Sequence, residues 1–247
     1  AGARIDIKID REKRIIRFLD NGYGIEASEF KKKMRGIGIS DKSSSIDQIG
    51  FRGIGRLSAM PFCNKLVFTN KTEGTSEVQE FSWNGEKYNK LLSQSDRDDL
   101  EKAIDDITDC ETRPYLGPAS DHFFKVELIS YSDEIFDLLS SENFIENLCK
   151  LLPVKYSDAF SAKDRIHEHY VNFMGDELQK FEFDVFLDDK QLFKPYTDEH
   201  ILESDIVFWD LSFEKTSDDM PSEKIGVLWF TFNRRVSSNP PKAPRGI

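Results

Sequence analysis

Cysteine is scarce in this chain: Cys63, Cys110 and Cys149 are the whole complement. They are odd in number, widely separated and outside any Cys-x-x-Cys pair, which argues against a disulfide framework or a zinc site and fits a reducing cytoplasm. The simplest role for them is that of small buried apolar residues. Long apolar runs are lacking too. None approaches the ~20 residues needed to cross a bilayer, and the first ten residues alternate charged and apolar side chains instead of forming a signal-peptide core. The chain therefore reads as soluble and cytoplasmic, with no membrane partner. Basic charge is in deficit, with 34 Lys and Arg against 45 Asp and Glu and a formal net charge of −11. A nucleic-acid partner would need a local basic patch, so bulk electrostatics argue against one. No internal repeat and no long low-complexity tract is present. Ala1-Gly2-Ala3 runs straight into a strand pattern and Arg245-Gly246-Ile247 stops without a closing element, so a fragment of a longer protein is expected.

What is present is enough apolar material for a sizeable core, 38% hydrophobic and 12% aromatic over 247 residues. Ile5, Ile7 and Ile9 alternate with charged residues, the chain turns at 10–13, and a second apolar run covers Ile15 to Leu19, which predicts a hairpin. After Asp20-Asn21-Gly22-Tyr23-Gly24, residues Phe30, Met34 and Ile37 share one face of a short helix. Residues 36–50 carry little periodicity and suggest a lid. A short helix is predicted from Arg56 to Phe62, then strands at Leu66 to Thr69 and Val78 to Trp83 around a turn at Gly74. An acidic helix from Asp98 to Asp109 would turn Leu100, Ile104 and Ile107 inward. The alternation of Phe124, Val126 and Leu128 predicts the last strand of a first domain, and Ser141 to Leu152 a helix. Phe181 to Leu187 and Ile225 to Phe232 then read as strands of a second, smaller α/β domain. Trp83, Trp209 and Trp229 sit in strand patterns and are expected to pack. His167-x-His169 has no third ligand at convincing spacing, so no metal site is assigned.

Two glycine-rich segments thirty residues apart constrain each other. In Asp20-Asn21-Gly22-Tyr23-Gly24-Ile25, a carboxylate ends a strand two residues before a glycine that permits close backbone approach. Such a carboxylate can accept a hydrogen bond from an exocyclic amine like that of adenine. The same residues also make good turn chemistry, and that reading stays open. In Gly50-x-x-Gly53-x-Gly55 before a helix, backbone N–H groups can face a phosphate, with Arg52 and Arg56 adding charge; a tight loop before a buried helix is the alternative. The segment is not a Walker A motif, since Arg56-Leu57 follows Gly55, and the first loop lacks the third glycine of a dinucleotide fingerprint.

Phe18-Leu19-Asp20-Asn21-Gly22-Tyr23-Gly24-Ile25, followed by Gly50-Phe51-Arg52-Gly53-Ile54-Gly55-Arg56-Leu57-Ser58-Ala59, resembles the core of the GHKL ATPases, the superfamily of gyrase, the large heat-shock chaperone, histidine kinases and MutL. The opening residues and Gly50-Phe51-Arg52-Gly53 are similar to MutL, while Gly53-Ile54-Gly55 with Ser58-Ala59 is nearer the chaperone; prokaryotic chaperone-like members fit best. The resemblance covers about the first 70 residues. It implies an α/β (α+β) fold, a Bergerat-type two-layer sandwich followed by a smaller transducer-like or middle-like α/β domain. The expected divisions are 1–135 for the ATP-binding domain, its first helix missing, 136–170 for a helical connection, and 171–247 for the second domain.

The resemblance also implies the site. Asp20 would read the adenine amine, Gly22 and Gly24 would shape the pocket floor, and Gly50, Gly53 and Gly55 would cradle phosphates, with Lys42 of the lid reaching one; Asn21, Ile25, Phe51, Arg52 and Ile54 complete the expected nucleotide-binding residues. ATP with Mg2+ is the implied cofactor. The family's catalytic glutamate and magnesium-binding asparagine precede the segment matched by Ala1-Gly2-Ala3, so no catalytic residue or metal ligand is assigned within the chain. Where the family has Gly-Thr near adenine, this sequence has Ser120-Asp121-His122-Phe123. Arg234, Arg235 and Arg245 are candidates, by location, for a phosphate contact from the second domain. The expected function is an ATP-driven, chaperone-like switch acting on a protein client, with room for a homodimer in the full-length protein. A MutL-like DNA-processing subunit and a nucleotide-binding scaffold without turnover are the alternatives.

Overall fold

A computed structural model describes residues 2–36, 55–92, 100–175, 183–199, 201, 205–213 and 223–231. The chain divides into two compact units, Ala1–Asn147 with Phe183–Leu192, and Leu148–Glu182 with Phe193–Ile247.

The first unit is built on one eight-stranded sheet. The predicted hairpin is present: β1 (Arg4–Asp10) pairs antiparallel with β2 (Ile15–Asp20), Ile7 facing Phe18. Helix α1 (Ala27–Arg35) follows, its Glu29 in the first turn and its Lys32, Lys33 and Arg35 in the last, a charge order that suits the helix dipole. Phe30 and Met34, four residues apart, are its buried stripe; Ile37 lies outside the described residues. The helix predicted from Arg56 to Phe62 is instead two 3-10 turns, Gly55–Leu57 and Met60–Phe62. The Ser58 amide and hydroxyl both return to the Gly55 carbonyl, at 3.2 and 2.7 Å, closing a three-residue turn. Pro61 then has no N–H with which to continue a ladder.

Strands β3 (Cys63–Lys71) and β4 (Glu77–Asn84) form the second predicted hairpin, longer than their apolar cores, with Gly74 at φ 78° in the connection. After α2 (Gly85–Leu92), the acidic helix α3 spans Leu100–Ile107 and stops there. The residues expected to finish it start a strand instead, β5 (Thr108–Pro114), which pairs with β4 at the sheet edge. Its charged sequence and terminal proline suit an edge that must not recruit further strands.

The alternating segment becomes β6 (Phe123–Tyr131), a central strand between β3 and β2. Helices α4 (Asp133–Ser140) and α5 (Phe144–Leu151) follow. Strand β7 (Asp184–Leu187) and the short β8 (Lys190–Gln191), drawn from the region expected to open a second domain, join this sheet, β7 running parallel to β1. The full order is β5-β4-β3-β6-β2-β1-β7-β8.

Because side chains alternate across a sheet, the register assigns the faces. Trp83, Leu66, Leu128, Ile16 and Ile9 make one row, and Phe81, Phe68, Val126, Phe18 and Ile7 the next, all on one side. Trp83, Leu66, Phe68 and Phe81 are at most 2% exposed. Phe30 of α1 approaches Phe124 edge-on at 6.5 Å on this side. The opposite face carries ion pairs: Glu127 accepts from Arg17 and Lys125, both at 2.7 Å, and Arg113 lies between the opposed carboxylates of Glu80 and Glu111.

In the second unit, α6 (Lys163–Met174) and the antiparallel pair β9 (Ile206–Phe213) and β10 (Glu223–Thr231) gather around buried Phe160, Ala162, Ile166, Ile201 and Ile206. Tyr156, Tyr196 and Trp229 pack on this cluster, and the indole of Trp229 donates to the Tyr156 hydroxyl at 2.9 Å. Strand β10 corresponds to the predicted strand around Trp229. Helix α6 carries His167 and His169, and among the described residues no group of three or more His, Cys, Asp and Glu is placed to hold a metal ion.

The central row predicts where stability resides. Leu66→Ala removes a fully buried side chain from β3 and is expected to cost about 2–5 kcal/mol, read as a lowered urea midpoint with an unchanged m-value.

Candidate functional site

The end of the sheet is where the apolar face changes character. The next row after Phe68 and Phe18 reads Gln79, Asn70, Phe124, Asp20 and Ile5, so three polar side chains stand on an otherwise apolar surface. Asp20 closes β2, a strand paired on both sides, and cannot turn to the ion-paired face without a register slip. Burial pushes its carboxyl above the ordinary value of 3.8, because the charged form loses hydration; backbone N–H groups of Gly22 and Phe124 donate to it and pull partly the other way. The Gly22 bond is 2.8 Å long.

The glycines follow from this arrangement. A Cβ on Gly22 would stand 2.7 Å from the Asp20 Oδ1, so only glycine lets the carboxylate sit over its own turn. Gly24 has φ +76°, and a Cβ there would meet the Asn70 Oδ1 at 2.7 Å and the Lys71 carbonyl oxygen at 2.8 Å. Asn21 is committed to the neighbouring strand. Its Oδ1 accepts from the Arg4 N–H at 2.8 Å and its Nδ2 donates to the Gly2 carbonyl at 3.0 Å.

These residues border a cavity of about 640 Å³. One wall is Leu19 through Tyr23, another is Ser120 through Phe123, and Gly2, Ala3 and Asp6 complete the lining. The Ser120–Phe123 segment, which departs from the family pattern in sequence, is thus part of the site. His122 stacks on Tyr23 with ring centroids 5.1 Å apart, and its Nδ1 lies 3.0 Å from the Gly22 carbonyl oxygen. Of the predicted residues, Asp20, Asn21 and Gly22 line the cavity. Gly24 and Ile25 lie beside it, Ile25 bonded through its backbone to Asn70. Gly55 opens an exposed 3-10 turn and is not among the lining residues. Lys42, Gly50, Phe51, Arg52, Gly53 and Ile54 lie outside the described residues, as do Arg234, Arg235 and Arg245.

Sequence reasoning missed Asn70 and Lys71. The one available signal was a pair of polar residues directly after the apolar run Leu66 to Thr69, which reads as the start of a turn. Both are buried, Asn70 at 2% and Lys71 at 0% exposure.

A sheet with one apolar face under helices, and a cavity bordered by a half-buried carboxylate and glycines at its end, is the architecture of a small-ligand site in a two-layer α/β domain. Residues 1–112 match the family described as histidine kinase-, DNA gyrase B- and HSP90-like ATPase. Among solved structures, the chain is similar to the ATPase and transducer domains of DNA topoisomerase II from Balamuthia mandrillaris, with 13% identity and a TM-score of 0.46 over 87% of this chain. The chain spans 48% of that structure's length. No curated protein matches. Among the described residues, no helix is long and apolar enough to cross a membrane.

The electrostatics of Asp20 have a measurable sign. Its folded pKa is raised above 3.8, so the folded protein holds this proton more tightly than the unfolded chain, and stability falls as pH climbs through the window above 3.8. Asp20→Asn has no proton to lose. It is expected to be more stable than the parent at pH ~7, with the difference closing below about pH 4, as urea midpoints at the two pH values will report.

Proposed function

We propose that the first unit binds ATP through the cavity at the end of β2, and that binding drives a rearrangement of domains or protomers in the protein. The observation that carries this reading is Asp20, a desolvated carboxylate on an apolar face beside the cavity, within residues that match an ATPase family. An acceptor-only group in such a place suits the exocyclic amine of adenine, and Leu19 and Phe123 offer apolar surface to the ring.

The phosphate end is assigned from sequence. Gly50, Gly53 and Gly55 would present backbone N–H groups, with Phe51, Arg52, Ile54 and Lys42 contributing from the same stretch. Magnesium would accompany the phosphates, and no residue of the chain is assigned as its ligand. Turnover would be attack of water on the γ-phosphate. Chaperone-like remodelling of a protein client is the output we favour over DNA processing, on the strength of the net charge of −11.

Calorimetric titration of the chain with ATP, ADP and GTP in the presence of magnesium tests the reading. Adenine-selective binding is expected. Asp20→Asn should weaken ATP by roughly ten- to a hundredfold, the worth of a hydrogen bond to a charged group. Equal affinity for ATP and GTP, or unchanged ATP affinity in Asp20→Asn, would sink the assignment of Asp20.

A further inference from the structure

The last two residues of β3 reach in opposite directions, one to the chain that leaves the Leu19–Tyr23 wall and one to the Ser120–Phe123 wall. Asn70 holds the chain just past the first wall. Its Oδ1 accepts from the Ile25 N–H at 2.7 Å and its Nδ2 donates to the Ile25 carbonyl at 2.7 Å, a reciprocal pair that pins the chain directly after Gly24. Gly24 is moulded against this amide, since any side chain there would strike it. Lys71 holds the other wall. Its ammonium, fully buried, donates to the carbonyls of Thr72 at 3.0 Å, Thr75 at 2.9 Å and Asp121 at 3.1 Å, and lies 5.0 Å from the Tyr115 ring centroid. Tyr115 in turn donates its hydroxyl to the Asp121 carboxylate at 2.6 Å. Asp121 belongs to the Ser120–Phe123 wall.

A buried lysine is an expensive way to fill space, because its charge must leave water. It is suited to a place where several carbonyls converge, since an ammonium supplies three donors from one atom. Truncating it would leave those carbonyls without that donor. The two clamps are adjacent in sequence, so the separation of the cavity walls is set by one peptide unit of a central strand.

We propose that Asn70 and Lys71 are positioning residues that fix the spacing between the Gly22–Ile25 segment and the Ser120–Phe123 segment, and thereby set which purine edge the cavity accepts. The selectivity half of this inference rests on the nucleotide reading above; the clamp half does not. Neither side chain is assigned a contact with ligand. Their effect is exerted through Ile25 and Asp121.

The clamp is tested on the nucleotide-free chain by amide hydrogen exchange. Asn70→Ala is expected to speed exchange at Ile25 about tenfold or more, and Lys71→Met to do the same at Gly74 and Asp121, whose amides bond to Ala119 and Pro118. Amides of the β1–β2 ladder should be unchanged in both. A uniform rise across the sheet would mean ordinary loss of stability and would overturn the clamp. Should Lys71→Met fail to fold, Tyr115→Phe, which removes only the hydroxyl held by Asp121, gives the same readout more gently. The selectivity half is read as the ratio of ATP to inosine triphosphate affinity, the second ligand lacking the exocyclic amine. Each variant should shrink that ratio by about tenfold. A local exchange response with an unchanged ratio would overturn the selectivity role. If the parent chain bound neither nucleotide, the nucleotide reading would fall while the exchange data still decided the clamp.

Discussion

A half-buried carboxylate at the end of a central strand is the constraint around which this end of the first unit is arranged. Asp20 shares its row with Ile5 and Phe124, and the two-residue period of the sheet gives it no route to the ion-paired face. The backbone compensates from both sides, with Gly22 and Phe124 donating to it. That arrangement in turn dictates Gly22, whose hydrogen occupies the space a methyl group would need. The turn then has to leave the strand tightly, which places Gly24 in the left-handed region against Asn70. A single half-buried carboxylate thus accounts for the spacing of the aspartate and two glycines that the sequence displays.

The polar residues of the site differ from those elsewhere on the sheet in how they are satisfied. On the solvent face, charged side chains pair with one another, as Arg17 and Lys125 do with Glu127, and such pairs add little where water competes. At the sheet end beside the cavity, Asp20, Asn21, Asn70 and Lys71 bond to backbone, while the lining Asp6 pairs with Arg4. Side chain to backbone bonding fixes chain position more tightly than pairing between two long flexible side chains, because one partner already belongs to a ladder.

Much of this architecture is visible in the amino-acid sequence, for reasons that can be named. Ile5, Ile7 and Ile9, and Phe124, Val126 and Leu128, alternate because one face of an antiparallel sheet is covered, and Phe30 with Met34 marks a helix lying on that face. What escaped was either not local or not apolar. Thr108–Pro114 is a strand because β4 offers an edge, not because its own residues alternate. Asp184–Leu187 was legible as a strand, but its parallel pairing with β1, nearly the whole chain away, left no trace in either segment. Asp20, Asn21 and Gly22 were legible as a candidate site through the family pattern they resemble, although the same residues also make good turn chemistry. Asn70 and Lys71 were not, because a polar pair after an apolar strand reads as a turn until the structure shows both side chains buried. The resemblance that points to a phosphate cradle concerns Gly50 to Ile54, outside the described residues.

The identity of the half-buried group carries the final step. An asparagine at position 20 would fit the same space and accept from the same two backbone amides without the cost of burying charge. It would also bring an NH2 group into the cavity, and a ligand amine cannot accept from it. A carboxylate offers acceptors alone, and with Gly22 and Phe124 occupying only part of its capacity, the remaining lone pairs face a site from which water is partly excluded. The desolvation that destabilises the folded chain is therefore the same property that, in the proposed function, would let the site discriminate between a donor and an acceptor on the ligand edge. A sheet end chosen for stability alone would carry the amide or an apolar residue; one chosen for recognition of a donor tolerates the aspartate, and the two-sided backbone clamp from β3 is what keeps its cavity from relaxing around the charge.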